Sequence, residues 1–202
     1  MQNKDLFIHI QNAKKALEKS EVIAFPTETV MGLGVFYNDY VAYELLNKIK
    51  NRREDKPYTM MLKDIESIKE YAYMNEAINR VIKAFMPGSL TILLNAKDII
   101  PSYVTHNTDV VGVRIPSNIE ALELLKVVGI PLLVPSANKA GEKPAYNDEE
   151  VKSIFKDELG YIVPGKCTSK IPSTIVDFSK KEPILIREGA IAFKDILEVY
   201  HG

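Results

Sequence analysis

Apolar positions along this chain switch repeatedly between a helical period and a strand period. Across residues 8–17, Ile8, Ala13, Ala16 and Leu17 recur at helical spacing with lysines between them, which predicts a helix. Residues 22–25 are a short apolar run closed by Pro26, the pattern of a buried strand. Residues 30–36 are apolar, with Gly32 and Gly34 alternating through them, so a strand is predicted there in which backbone or ligand approaches closely. A helix follows to Lys50, with Asn38 or Asp39 as its N-cap. Strands are predicted over 58–62, 90–94, 110–115, 131–134, 161–163, 174–178 and 184–186, and helices over 65–71, 76–85, 120–128, 148–155 and 192–200. Residues 137–147 are polar and interrupted by Gly and Pro, a loop. Strands and helices interleave throughout, which argues an α/β fold. No repeat or long linker divides the 202 residues, so one domain over 1–202 is expected.

Composition narrows the function classes. A net charge of -1 gives no global pull toward nucleic acid or an acidic membrane, so any anion binding must be local. Cys167 is the only cysteine and cannot form an internal disulfide, which fits a reducing, cytoplasmic setting. No apolar run approaches the ~18 residues of a membrane span, and the first residues carry no signal-peptide apolar region. The three histidines, His9, His106 and His201, are scattered without metal-ligand spacing.

Local charge is another matter. Lys48, Lys50, Arg52, Arg53 and Lys56 cluster where a helix gives way to a strand. Cations so placed suit a polyanion such as a triphosphate, with Arg offering a planar fork and Lys a point charge. The alternative is a solvated helix end whose cations complement the dipole.

Several strand ends carry polar groups. Thr27-Glu28-Thr29 follows the first strand, where open α/β sheets place ligand contacts; its hydroxyls could donate to an anion and Glu28 could orient an amine, or the segment could be a hydroxyl-closed turn. Ser136 and Asn138 follow a buried strand on one side of the chain and supply donors for phosphate, ribose or base, or form a turn. Arg114, between Val113 and Ile115, reads as half-buried and needs an anion, either a structural carboxylate or a substrate carboxylate. Residues 160–167 match Gly-x-x-x-x-Gly-Lys, but Cys167 replaces the required Ser or Thr and no helix pattern follows, so a plain turn is the better reading. No Ser-His-Asp triad or catalytic carboxylate pair is evident. Hydroxyls, amides and cations fit catalysis by positioning and charge neutralisation, as in nucleotidyl transfer.

Taken in order, these segments resemble the YrdC/TsaC family of threonylcarbamoyl-AMP synthases, short standalone type. The matching pieces are Pro26-Thr-Glu-Thr-Val-Met-Gly-Leu-Gly34, Lys50-Asn-Arg52, Pro87-Gly-Ser-Leu-Thr91 and Val113-Arg-Ile-Pro116. Pro135-Ser-Ala-Asn138, Ser173-Thr-Ile-Val-Asp177 and Arg187-Glu-Gly-Ala-Ile191 complete the set. They span a core of about residues 10–192. The resemblance implies a twisted mixed sheet with flanking helices and an open, positively charged concave surface. It implies synthesis of L-threonylcarbamoyladenylate from L-threonine, bicarbonate and ATP with Mg²⁺, releasing pyrophosphate, and a partner transferase complex that modifies tRNA. It implies Lys50, Arg52, Lys56, Ser136, Asn138 and Arg187 for ATP, with Lys50 and Arg52 catalytic, and Thr29, Arg114 and Ser173 for threonine. Arg114 is expected to hold the threonine carboxylate by a forked bond. Met31, Arg53, Ser89 and Met61 depart from the family's usual residues, Met61 standing where some members carry a threonine-contacting histidine. Two rival classes are an RNA-binding module of the same fold and a carbamoyl-transfer domain of the hydrogenase-maturation type. The zinc-finger part of the latter is missing, because no Cys-x-x-Cys occurs.

Overall fold

A computed structural model describes residues 3–51 and 57–202. Among these residues the chain forms one mixed sheet of nine strands flanked by helices. The strands are β1 (Ile23–Phe25), β2 (Gly32–Phe36), β3 (Met60–Met61), β4 (Leu90–Asn95) and β5 (Val110–Arg114), then β6 (Leu132–Leu133), β7 (Tyr161–Ile162), β8 (Thr174–Asp177) and β9 (Ile184–Arg187). Their spatial order is β7-β1-β2-β6-β3-β5-β4-β8-β9. The β1–β7, β3–β5 and β4–β8 pairs are parallel and the others antiparallel.

The helices are α1 (Asn3–Leu17), α2 (Tyr40–Lys50), α3 (Ile65–Tyr71), α4 (Glu76–Phe85), α5 (Ser102–Thr105), α6 (Ile119–Val128), α7 (Asp148–Phe155) and α8 (Phe193–His201). Their starts are written in short polar side chains. Asp39, Asp64, Asn75, Asn118 and Asn147 each accept the third following backbone N–H, satisfying a donor the helix leaves orphaned. Helix α1 begins earlier than predicted, with Asp5 in its first turn favouring the dipole. The four-residue α5 went unpredicted, too short to show a period. Strand β3 is shorter than predicted: only Met60 and Met61 pair along their neighbours.

Alternation along the strands divides the core in two. Val22 and Ala24 belong to one cluster, Ile23 and Phe25 to the other; Met60 and Met61, and Leu133 and Leu132, split likewise. The larger cluster packs against α2, α3, α4, α7 and α8. The smaller lies under α1 and α6; its buried strand residues come from β1, β3 and β6, and Phe36 of β2 and Tyr161 of β7 pack against it. Arg114, Thr91 and Ile175 continue that second face across β5, β4 and β8, but none belongs to the α1–α6 cluster. The sheet face left without helices is where the candidate site lies.

The paired glycines of β2 make a packing site for a ring. Phe25 is fully buried opposite Gly32, and a Cβ built on Gly34 would sit 2.8 Å from its ring carbon Cε1. The close approach expected from the sequence is therefore made by side chains, the Phe25 ring at Gly34 and Val134 at Gly32, where a built Cβ would lie 2.6 Å from Cγ1. No described helix is long and apolar enough to cross a membrane.

Substituting Gly34→Ala is expected to destabilise the fold by about 1–3 kcal/mol through overpacking against Phe25. In a Phe25→Leu background the same substitution should cost less, a coupling readable from urea unfolding midpoints. Additive costs would show that the ring does not set the requirement.

Candidate active site

The floor of the site is one row of residues across five strands. Met61 on β3 is in register with Arg114 on β5; Ile92 pairs with Val113, so Thr91 on β4 falls opposite Arg114 at the end of that ladder. Thr91 is in register with Ile175 on β8, and Ile175 with Arg187 on β9. All five line a cavity of about 400 Å³. Hydrogen-bond register thus places two guanidiniums on one floor, separated by a small hydroxyl and an apolar residue.

Two loops form the walls. Residues 26–30 are the hydroxyl-closed turn: Thr27 Oγ1 donates to the Val30 carbonyl at 2.7 Å and accepts from the Thr29 and Val30 N–H groups. With the Thr27 proton given to Val30, the 3.1 Å contact between the two hydroxyls takes its proton from Thr29. Thr29 Oγ1 also accepts from Arg114 Nη2. Thr29 therefore offers a ligand a lone pair, not a donor. The second wall is residues 134–138. Ala137 N–H donates to the Met31 carbonyl and Leu33 N–H to the Pro135 carbonyl, tying this loop to β2.

Lys50 does not line the cavity. It is 2% exposed and sits behind the second wall, its ammonium donating to the Ser136 carbonyl at 2.6 Å and the Asn138 carbonyl at 2.8 Å, with Asn138 Oδ1 at 3.4 Å. Asn138 Oδ1 also accepts from Ser136 Oγ, and its amide donates to the Lys139 and Glu142 carbonyls. Lys50 therefore acts on the loop that presents Ser136 and Asn138.

Arg114 is 5% exposed, deeper than the half-buried position expected. Its anion is the structural one: Nη2 pairs with Glu28. Glu28 also accepts from Ser89 Oγ and, through its second oxygen, from Ser117 N–H, so it orients no substrate amine directly. Arg114 Nε donates to the Gly88 carbonyl. Only Nη1 is left without a partner among the described residues, the other two nitrogens holding the side chain in place.

Arg187 differs. Its Nε and Nη2 donate to the Ser173 carbonyl, and Nη2 also reaches Ser173 Oγ at 3.1 Å. It forms no ion pair among the described residues. Burial first, and then the nearby charge of Arg114, hold its pKa below the ordinary guanidinium value. The segment behind it is pinned by Thr174 Oγ1, which accepts from Gly189 and Ile191 N–H. A Cβ on Gly189 would lie 2.2 Å from the Pro172 carbonyl, so only glycine lets this segment close on β8.

Of the residues predicted for the site, Thr29, Arg114, Ser136, Asn138, Ser173 and Arg187 line the cavity together. Arg52 and Lys56 lie outside the described residues. Sequence reasoning gave no site role to Thr91, Ile175 or Glu142, all of which line it. Thr91 and Ile175 stood inside quoted motifs, but their place follows from strand register, which no local pattern states. Cys167 is no nucleophile: burial pushes its thiol up to about 11, so it stays protonated near neutral pH. Residues 160–167 hold β7 and an isolated bridge from Lys166 to Asn147, with no helix directly after them.

Comparison with known proteins places this geometry. A family model covering the Sua5, YciO and YrdC proteins, described as "Telomere recombination", matches residues 15–189. The chain is 34% identical over 185 residues to a putative threonylcarbamoyl-AMP synthase of Methanocaldococcus jannaschii, covering 91% of this chain and 86% of that protein. It is 30% identical over 192 residues to the threonylcarbamoyl-AMP synthase of Pyrococcus abyssi, covering 94% of this chain and 56% of that one, so it spans little more than half of the longer relative. The crystal structure of P. abyssi Sua5 complexed with L-threonine superposes with a TM-score of 0.90 at 30% identity, again over 94% of this chain and 56% of that one. With the model spanning nearly the whole chain and the sheet and helices matching in space, this chain belongs to the Sua5/YciO/YrdC family.

Proposed function

We propose that this chain is a nucleotidyltransferase that makes L-threonylcarbamoyladenylate from L-threonine, bicarbonate and ATP. The observation that carries the reading is the registered floor, with Arg114 and Arg187 on one cavity. Similarity to proteins named threonylcarbamoyl-AMP synthase supports it.

The chemistry needs what this cavity supplies. The threonine amine captures carbon dioxide, supplied by bicarbonate with loss of water, to give a carbamate. A carbamate oxygen then attacks the α-phosphorus of ATP; a P–O bond forms as the bond to the bridging oxygen breaks, and pyrophosphate leaves with the electron pair. Both reactants are anions, so fixed cations lower the barrier by offsetting repulsion and leaving-group charge. Arg114 Nη1 takes the amino-acid carboxylate, Thr29 accepts from a substrate donor, and Ser173, held by Arg187 and Thr91, completes the amino-acid contacts. Ser136, Asn138 and Arg187 serve the nucleotide, with Arg52 and Lys56 completing the triphosphate contacts. Lys50 is a positioning residue for the Ser136–Asn138 wall.

Mg²⁺ arrives with ATP. Among the described residues no group of three His, Cys, Asp or Glu could hold a metal, and Glu142 is the one carboxylate on the described lining. That donor set fits an ion that keeps phosphate oxygens and waters, and bound there it would screen the triphosphate. The adenylate is a high-energy mixed anhydride, consumed by a transferase complex that modifies tRNA.

The first test is pyrophosphate release from ATP, Mg²⁺ and bicarbonate, with and without L-threonine. Release that depends on both threonine and bicarbonate is expected; none from a folded, ATP-binding protein would leave an RNA-binding module as the reading to pursue. Arg114→Met is expected to raise KM for L-threonine by about tenfold to a hundredfold, the worth of a charged hydrogen bond, while KM for ATP moves little. Equal effects on both substrates would remove Arg114 from the amino-acid site. Lys50→Ala should cost about 1–3 kcal/mol in urea unfolding, because it leaves buried carbonyls unpaired, and should also weaken ATP binding. Normal ATP affinity in that variant would separate the wall from the nucleotide.

A further inference from the structure

The two arginines on the floor carry different net charge. Arg114 is neutralised by Glu28, whose carboxylate is buried and engaged through both oxygens. Among the described residues Arg187 meets only the carbonyl and hydroxyl of Ser173 and forms no ion pair. The mechanism above does not require this asymmetry; two bare cations would attract the same reactants more strongly.

We propose that Glu28 is a specificity-determining residue that sorts anions between the two arginines, reserving Arg114 for a monoanionic carboxylate and leaving phosphate to Arg187. This rests on the amino-acid reading given under the proposed function. The argument is one of scaling. The cost of desolvating an anion rises roughly as the square of its charge, whereas its attraction to a fixed dipole rises only in proportion. An Arg–Glu pair with one guanidinium nitrogen facing the cavity is such a dipole. A carboxylate meets Nη1 with Glu28 held behind it and binds. A phosphate or pyrophosphate of two or more charges has a several-fold greater desolvation cost and no net positive charge to offset it. Sorting matters here because one cavity of about 400 Å³ must hold a carboxylate beside a triphosphate without letting the triphosphate occupy both cations.

Shape adds to the charge argument. Glu28 and the Gly88 carbonyl take Nη2 and Nε, so Arg114 cannot offer the two-nitrogen fork that favours phosphate oxygens. Glutamine at this position has one acceptor oxygen where Glu28 uses two, so Glu28→Gln removes the charge and loosens the grip while keeping the volume.

The experiment measures L-threonine binding by calorimetry with inorganic pyrophosphate as the competing probe, on wild type, Glu28→Gln and Arg187→Met. Wild type is expected to bind threonine with the same affinity at zero and saturating pyrophosphate. In Glu28→Gln, saturating pyrophosphate should weaken threonine binding about tenfold or more, the effect of one added charge in a half-wet site. Arg187→Met should lose pyrophosphate affinity and keep threonine affinity. Pyrophosphate competing with threonine in wild type would overturn the proposal whether or not Glu28→Gln folds. A folded Glu28→Gln in which threonine binding ignores pyrophosphate would also overturn it. Wild type that binds pyrophosphate but no threonine would instead overturn the amino-acid reading on which it rests.

Discussion

A guanidinium taken out of water must find an anion, and Arg114 is almost wholly buried at the end of β5. Glu28 is that anion, and the pair binds together segments far apart in sequence. It joins the turn after β1 to the start of β4 through Ser89, and to the segment after β5 through Ser117. The Glu28 carbonyl also accepts from Ser169 N–H and Thr168 Oγ1, bringing in the approach to β8. Breaking such a pair from one side costs far more than the pair is worth, because a lone charge is left behind. The cavity is thus shaped by a constraint of folding before it is a constraint of binding.

Strand register does the rest. Side chains alternate faces with a period of two, so once β3, β5, β4 and β8 are paired, Met61, Arg114, Thr91 and Ile175 share a face, and a register irregularity between β8 and β9 brings Arg187 opposite Ile175 although Leu185, two residues earlier, pairs with Val176 on the core face. Helices α1 and α6 cover that face from β7 to β3 and do not reach β5, β4 or β8. The uncovered half presents polar and charged groups where a third helix would need apolar ones. A one-residue slip at any of these ladders would send an arginine into the larger core, so the site's residues also enforce the register that creates the site.

Much of this was legible in the sequence, for local reasons. The ends of α3, α4 and α7 fall where the polar caps and apolar periods put them, and all nine predicted strands exist. The family resemblance named six residues that do meet on one cavity. What was not legible is non-local. That Arg114 takes a structural carboxylate was left open because Glu28 is 86 residues away and nothing in the local pattern couples them. The placement of Lys50 behind a wall, instead of in the open, depends on carbonyls at Ser136 and Asn138, and backbone acceptors have no sequence signature. The ring-on-glycine contact of Phe25 was half visible: alternating glycines declared a close approach but not what approaches.

A chain of net charge -1 can still build an anion site, because what counts is compensation at short range. Lys14, Lys69, Lys126 and Lys152 each stand beside a glutamate or aspartate one turn away and are screened in water. Lys50 spends its ammonium on carbonyls, and Arg114 spends two of three nitrogens on its own fold. Arg187 is the one cation among the described cavity residues without an ion pair, and it lies on an edge strand, where solvent can relax around it until a ligand arrives. The neighbouring guanidinium of Arg114 opposes that charge, so an anion bound beside both offsets their repulsion.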